Sequence, residues 1–371
     1  MKVLYTNFHP RNGGGHTTYV MNLAQALAGR HQVTVAAPDT SRLFRYASAA
    51  TGVQTVAMRF STRLSAWLTE PASLRQLVGR EHYDIIHVNG TADHKQVMLA
   101  LAGLPRRPRV VFTKHNIHPL DSLGHRLRAR LATDHVIAVS DHVHEQVLRS
   151  PYRRVPITTI RHGIDTDYFT PPQSSLPLDA LRDRYFGPDW RGRLLLGSAG
   201  GTDFDKGWLD LVEAAGRLPP EQRRRVMILV AGDPPSEAKL ARVRAAGMQA
   251  QVVFPGLLDD VRDALACCHA GFVLSYYEAL SYACREMMSM GLPALVSDAG
   301  GLPENVTDGV DGWIIPVRDA AAIGALLRAM LQDPSRLAGM GEAARSKAVE
   351  QFGLADFAES TLAVYHQALA R

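Results

Sequence analysis

The chain has 371 residues, is 46% hydrophobic and 21% charged, and carries a net charge of +5. This profile fits a soluble globular protein of about two domains and excludes a fibrous or disordered chain. No apolar run approaches the roughly 18 residues that would span a bilayer. The three cysteines, Cys267, Cys268 and Cys284, suggest neither a disulfide framework nor a zinc site. A reducing cytoplasmic setting is expected, and MKVLYTNFHP reads as a first strand, not a leader. Charge is uneven. Residues 1–172 hold 21 Lys and Arg against 11 Asp and Glu, and the remainder holds 20 against 25. The first half therefore suits an anionic partner. No nucleic-acid motif accompanies the charge, so no nucleic acid is expected; a membrane surface or phosphorylated acceptor fits better.

In chain order, residues 3–5 read as a buried strand and Gly13-Gly14-Gly15-His16 as a glycine loop. Tyr19, Val20, Leu23, Ala24 and Leu27 follow at helical spacing, then a strand over Gln32–Ala37. This is a β–glycine loop–α–β unit, as in doubly wound folds. GGGH is not G-x-G-x-x-G, so a dinucleotide is not expected there. Leu64, Trp67, Leu68, Leu74, Leu77 and Val78 suggest helices interrupted by Pro71. Trp67, with Arg63 and Arg75, reads either as core or as a lipid-facing surface.

Residues 84–89, 110–115, 136–140 and 157–163 each read as a strand ending in polar residues: His87 and Asn89, His115, Ser140, and Arg161. The C-terminal strand ends of such sheets border the ligand crevice. Arg126, Arg128 and Arg130 alternate with Leu127, Ala129 and Leu131, and Arg106, Arg107, Arg109, Arg149, Arg153 and Arg154 add to a basic face. That face reads either as solvated surface or as an acceptor or membrane patch. Residues 172–193, rich in Pro, Ser and Asp, read as a linker.

A second sheet begins at residues 194–197. The loop Gly200-Gly201-Thr202-Asp203-Phe204-Asp205-Lys206-Gly207 follows, where glycines admit a phosphate and Lys206 neutralises it. Val226–Val230 leads to Gly232, and residues 252–256 end in Pro255-Gly256. Residues 275–304 carry Glu278 and Glu286 in an apolar setting, with a helix expected from about Ala279 until Gly291 and Pro293. A helix N-terminus there would favour phosphate, and the two carboxylates would accept hydrogen bonds from hydroxyls. Gly300-Gly301 and Glu304 close the segment. A last helix over residues 354–370 presents Phe357, Leu362, Tyr365 and Leu369.

These blocks, in this order over nearly the whole chain, resemble glycosyltransferase family 4, the retaining GT-B enzymes. Ser275, Glu278, Glu286, Gly291, Pro293, Gly300, Gly301 and Glu304 fall on the family's nucleotide-sugar signature, and Lys206-Gly207 on its K-G element. Ala279, Leu280, Ser281 and Tyr282 stand where the family usually has G-F-G-L, and no Arg stands between Gly197 and Lys206 where it has one. The resemblance implies an α/β GT-B protein: two facing Rossmann-like doubly wound domains with a C-terminal helix crossing back to the first. Residues 1–173, with helix 353–371, would form the acceptor side, and 174–352 the nucleotide-sugar domain.

It further implies transfer of a sugar from a nucleoside diphosphate sugar to an acceptor hydroxyl, with retention and without metal or other cofactor. The acceptor expected is a glycan or lipid-linked molecule of the cell envelope, of lipopolysaccharide type. The protein would be cytoplasmic, with the basic first half against an anionic membrane surface. His115, Lys206 and Glu278 would be catalytic. Gly14, Gly15, Gly201, Gly232, Pro255, Gly256, Ala279, Leu280, Ser281 and Glu286 would join Lys206 and Glu278 on the donor. His16, His87, Asn89, Ser140 and Arg161 are acceptor-side candidates. The other reading is a sugar-nucleotide-binding protein of the same fold without turnover.

Overall fold

A computed structural model describes residues 1–11, 13–61, 66–172 and 177–371, and the side chains of residues 66–68 are not among those described. The surface suggested for Arg63 and Trp67 lies outside what is described. The chain forms two compact units: Met1–Gly163 with Leu354–Arg371, and Ile164–Gly353.

The first unit holds seven strands: β1 (Lys2–Thr6), β2 (Gln32–Ala37), β3 (Val53–Ala57), β4 (Ile85–Val88), β5 (Arg109–Lys114), β6 (His135–Ala138) and β7 (Ile157–Thr159). All pair in parallel, in the order β3-β2-β1-β4-β5-β6-β7. Helices cover such a sheet on both faces, so its central strands read as continuous apolar runs. The order in which strands are added reverses between β1 and β4, which pair in parallel with Tyr5 opposite His87. A crevice forms at the C-terminal ends of strands at such a switch point. The helix Leu354–Leu369 packs on this unit. Its Phe357 ring meets Tyr19 at 5.1 Å, and its Tyr365 hydroxyl bonds that of Tyr5 at 2.9 Å.

The second unit repeats the plan with β8 (Leu194–Ser198), β9 (Val226–Val230), β10 (Val252–Val253), β11 (Ala270–Val273), β12 (Ala294–Ser297) and β13 (Gly312–Ile315). The order is β10-β9-β8-β11-β12-β13, again parallel, with the switch point between β8 and β11. Its core gathers Leu196, Trp208, Val212, Ile228, Phe272, Leu295 and Leu327.

Four expectations need correction. The first unit ends at Gly163, not at 173. Ile164 pairs with Gly353, and Arg345 donates to the Thr166 and Phe169 carbonyls at 2.8 and 3.0 Å, so residues 164–169 are bound into the second unit. The supposed linker contains a helix, Leu178–Phe186, and a buried Trp190 whose indole N–H bonds Asp183 at 2.7 Å. Apolar anchors in a Pro-rich stretch outweigh its composition. Pro71 does not divide its segment, which is one helix, Ala66–Glu81. Proline removes one intrahelical bond, and the helix continues through it. Finally, the helix after Glu278 begins at Tyr282, not near Ala279.

Candidate active site

In the first unit, the glycine loop ends in Gly14, and the helix Gly15–Ala28 starts beside the end of β1. This start places His16 between two other imidazoles. Its ring lies 4.6 Å from that of His9 and 4.3 Å from that of His115, and Tyr19, one turn on, meets His115 edge-on at 4.5 Å. Burial, with His9 adding to it, pushes His16 down to about 3, and burial followed by the His16 and His87 rings holds His115 well below the ordinary histidine range. The group is therefore neutral at ordinary pH, a set of imidazole donors and acceptors without charge.

The orientation of His115 is determined by Asn89. His115 Nε2 lies 2.8 Å from Asn89 Oδ1. The Asn89 amide nitrogen is engaged by the carbonyls of Thr6 (3.1 Å) and His87 (3.3 Å), so Oδ1 is the acceptor and His115 Nε2 must donate. A neutral His115 then carries its free lone pair on Nδ1. Asp93 holds Asn89 in turn, accepting its backbone N–H at 2.9 Å and the Thr6 hydroxyl at 2.7 Å. Burial raises Asp93 to about 7. Sequence reasoning missed Asp93; its signal is an acid in the first turn of the helix Thr91–Leu101, three residues after Gly90.

Three acceptor-side candidates lie elsewhere. His87 is fully buried: Nδ1 lies 2.6 Å from the Tyr365 hydroxyl and Nε2 2.5 Å from the Thr113 hydroxyl. It ties the C-terminal helix to the sheet behind His115 and does not reach solvent. Ser140 is also buried and caps the helix Asp141–Leu148 by accepting the Val143 N–H at 3.2 Å. Arg161 pairs with Asp141 at 2.5 Å. A polar residue at a strand end serves caps and sheet–helix ties as readily as ligands. Of this set, only His16 and Asn89 gather around His115.

In the second unit, the loop after β8 carries Lys206 at the end of a short 3-10 turn, Phe204–Lys206. Gly207 follows in the left-handed region at φ +67°, and a Cβ there would lie 1.8 Å from the Leu274 carbonyl oxygen. The Tyr276 N–H donates to the Asp205 carbonyl at 2.7 Å. Together these press the loop against the segment after β11 and bring Lys206 Nζ to 3.2 Å from Glu278 Oε2. Ser275 donates to the same oxygen at 3.4 Å. Burial alone would depress the Lys206 ammonium, but Glu278, helped by Asp205 and Asp203, outweighs it and holds the group above its ordinary value. Lys206 is a permanent cation at neutral pH.

Gly201 and Gly232 touch: a Cβ on Gly232 would lie 2.7 Å from the Gly201 Cα. The Gly232 N–H donates to the Gly256 carbonyl at 3.0 Å. Gly201, Gly232 and Gly256, with Pro255 beside the last, therefore join the ends of β8, β9 and β10. Ala279 and Leu280 are buried. The Leu280 carbonyl accepts the Asn305 amide at 2.6 Å, and Ser281, at φ +94°, caps the helix Tyr282–Ser289 by accepting the Cys284 N–H. These contacts hold residues 279–281 as a turn, and this delays the helix. Glu278 precedes the turn, and its carbonyl accepts the Gly301 N–H at 3.1 Å. Glu286 lies one turn into the helix, half-buried, and burial raises it to about 7. Among the described residues no cluster of side chains has the makeup of a metal site, and no helix is long and apolar enough to cross a membrane.

Chemically, the second unit offers a permanent cation, close glycine backbone and two acids, of which burial raises Glu286. The first offers a neutral imidazole with a set tautomer. Residues 13–168 match the family described as Glycosyltransferase Family 4, and residues 191–347 match Glycosyl transferases group 1. The chain is 28% identical over 332 residues to an alpha-maltose-1-phosphate synthase of Mycolicibacterium smegmatis, covering 81% of this chain and 83% of that one. It is 27% identical to a GDP-mannose-dependent alpha-(1-6)-phosphatidylinositol monomannoside mannosyltransferase of the same organism, covering 94% of each. In fold it is similar to Anabaena HepE in complex with UDP-glucose, at TM-score 0.82 and 18% identity, covering 99% of this chain and 100% of that one. The chain is a group 1 glycosyltransferase with the GT-B fold and belongs to glycosyltransferase family 4.

Proposed function

We propose that the chain moves a sugar from a nucleoside diphosphate sugar to an acceptor hydroxyl with retention at the anomeric carbon. The observation that carries this reading is the Lys206–Glu278 pair, a cation at a glycine-lined strand end with an acid beside it, 3.2 Å apart. Donor cleavage leaves negative charge on the diphosphate. A fixed ammonium there stabilises that charge as it develops, which is the largest kind of contribution such a site makes. Glu278 then accepts sugar hydroxyls, and Glu286 accepts the ribose hydroxyls. His115, neutral and with Nδ1 free to accept, takes a hydroxyl of the transferred sugar. The bound donor in the HepE structure and the nucleotide-sugar donor in the name of the mannosyltransferase support this donor class. The phosphatidylinositol monomannoside in the latter name also supports a lipid-linked glycan as acceptor, and we read the chain as peripheral to the cytoplasmic membrane face. No metal is assigned a role.

The test is donor turnover. The chain is mixed with UDP- and GDP-sugars and with lipid-linked glycan acceptors, and nucleoside diphosphate release and the anomeric proton of the product are followed. Release coupled to an α-linked product from an α-linked donor is expected. Donor binding without release in any acceptor mixture would overturn the transfer reading in favour of a binding protein.

A further inference from the structure

In the first unit, the helix Leu123–Leu131 and residues 149–154 wall a groove of about 550 Å³. Five arginines line it, Arg126, Arg130, Arg149, Arg153 and Arg154, against one acid, Asp121. Among the described residues Arg126, Arg130, Arg153 and Arg154 make no ion pair, and Arg149 has only Glu145, at 3.6 Å on open surface. Arg128, though part of the same alternating run, is buried and points the other way.

The helix also exposes a row of leucines. Leu123 is 71%, Leu127 43% and Leu131 55% exposed, four residues apart on one face, and Leu148 is 41% exposed nearby in sequence to Arg149. Isolated exposed leucines are ordinary, but a row beside unpaired arginines is a different surface. Water solvates the arginines readily, but not the leucine row beside them. Guanidinium groups match phosphate oxygens, and leucine side chains match the acyl boundary just beneath them. A nucleic acid fits less well, because no aromatic side chain lines the groove to stack a base.

We infer that this face seats the protein on the surface of an anionic lipid bilayer, with the arginines on headgroup phosphates and Leu123, Leu127 and Leu131 at the acyl boundary. The geometry also suits an acceptor arriving from the bilayer, because residues 116–122 alone connect this helix to His115. Gln146 and Lys114 hold that connection through the Ile117 and His118 carbonyls at 2.6 and 2.7 Å. This last use rests on the proposed transfer reaction; the docking itself does not.

The experiment is co-sedimentation of the full chain with vesicles of phosphatidylcholine alone or mixed with phosphatidylglycerol, over a salt series. Binding to the anionic vesicles at low salt, weakening with salt, and none to pure phosphatidylcholine are expected. R126E/R130E should weaken binding at least about tenfold, whereas R217E/R328E, an equal charge change on the second unit, should not. L127D/L131D should weaken it as well, and all three should keep the wild-type melting temperature within a few degrees and the same thermal shift with the nucleotide sugar. No anionic-vesicle binding, equal losses in R126E/R130E and R217E/R328E, or no loss in L127D/L131D would overturn the inference. So would full displacement by millimolar inorganic phosphate at constant ionic strength, which would make the groove a site for a free phosphorylated ligand. A lost thermal shift in wild type with vesicle binding intact would count against the donor reading and leave the docking in place.

Discussion

Asn89 Oδ1 accepts a hydrogen bond from His115 Nε2 at 2.8 Å, and through that one bond the end of β4 determines which nitrogen of His115 is left to meet a ligand. Asp93 stands behind it, so orientation passes from Asp93 to Asn89 to His115. N89A should lower kcat on the order of 10-fold to 100-fold, since small misplacement of a reacting group is costly. The nucleotide-induced thermal shift should stay, because the donor phosphates are assigned to Lys206. An unchanged kcat would remove Asn89 from the positioning of His115.

Lys206→Ala should reduce transfer by on the order of 10²–10³, the usual loss for one group that stabilises developing charge. Stability should change little, because an ion pair with both partners partly open to water contributes about 0–1 kcal/mol. Steady-state kinetics with a melting curve separate the two. Undiminished turnover would displace Lys206 from the diphosphate.

Gly207→Ala addresses the loop instead of its charge. The backbone sits at φ +67°, and the new methyl would meet the Leu274 carbonyl at 1.8 Å. A loss of roughly 1–3 kcal/mol from strain alone is expected, with Lys206 moved off Glu278 and activity lost. Denaturant unfolding measures it; a wild-type midpoint would show that the loop relaxes.

Partial burial raises Glu286 to about 7, so a carboxylate able to accept from both hydroxyls of a ribose forms as pH rises through that value. Donor affinity should therefore strengthen between pH 6 and 8 on the order of several-fold. E286Q should bind more weakly at pH 8 and show no such step. A parallel pH dependence in E286Q would assign the step to another group.

Stability should follow the histidines. Burial lowers His87 and His94 to about 3, so the unfolded chain binds protons that the folded one does not between about 3 and 6.5. Their contribution is complete above pH 6.5 and is lost as pH falls. Asp93 and Glu286, raised to about 7, act in the opposite sense between their ordinary values and 7, but the lowered histidines, which include His16 and His115, outnumber them. Melting temperature should drop from pH 7 to pH 5, less steeply in H87Q. A flat profile would mean that the buried imidazoles are not retained neutral.

What the sequence determined by itself is what depends on local pattern. Unbroken apolar runs mark strands buried on both faces, and 3.6-residue spacing marks the helices between them, so two doubly wound sheets were legible. Lys206-Gly207 and the two acids of residues 278–286 were singled out for a related reason: a glycine loop that admits a phosphate and a helix start each demand particular residues at particular offsets, although the helix starts at Tyr282 and not near Ala279. The tertiary structure decided whatever depends on partners distant in the chain. His87 and His115 end neighbouring strands with the same signal, yet one is closed in by Tyr365, 278 positions away, and the other stays half-buried beside His16. Asp93 gained its role only because Thr6 and Asn89 converge on it. Arg126 and Arg128 are two positions apart in one run, and helix rotation alone sends one to the open groove and the other inward. Periodicity along the chain specifies which face a residue takes, but only packing across the fold specifies what that face meets.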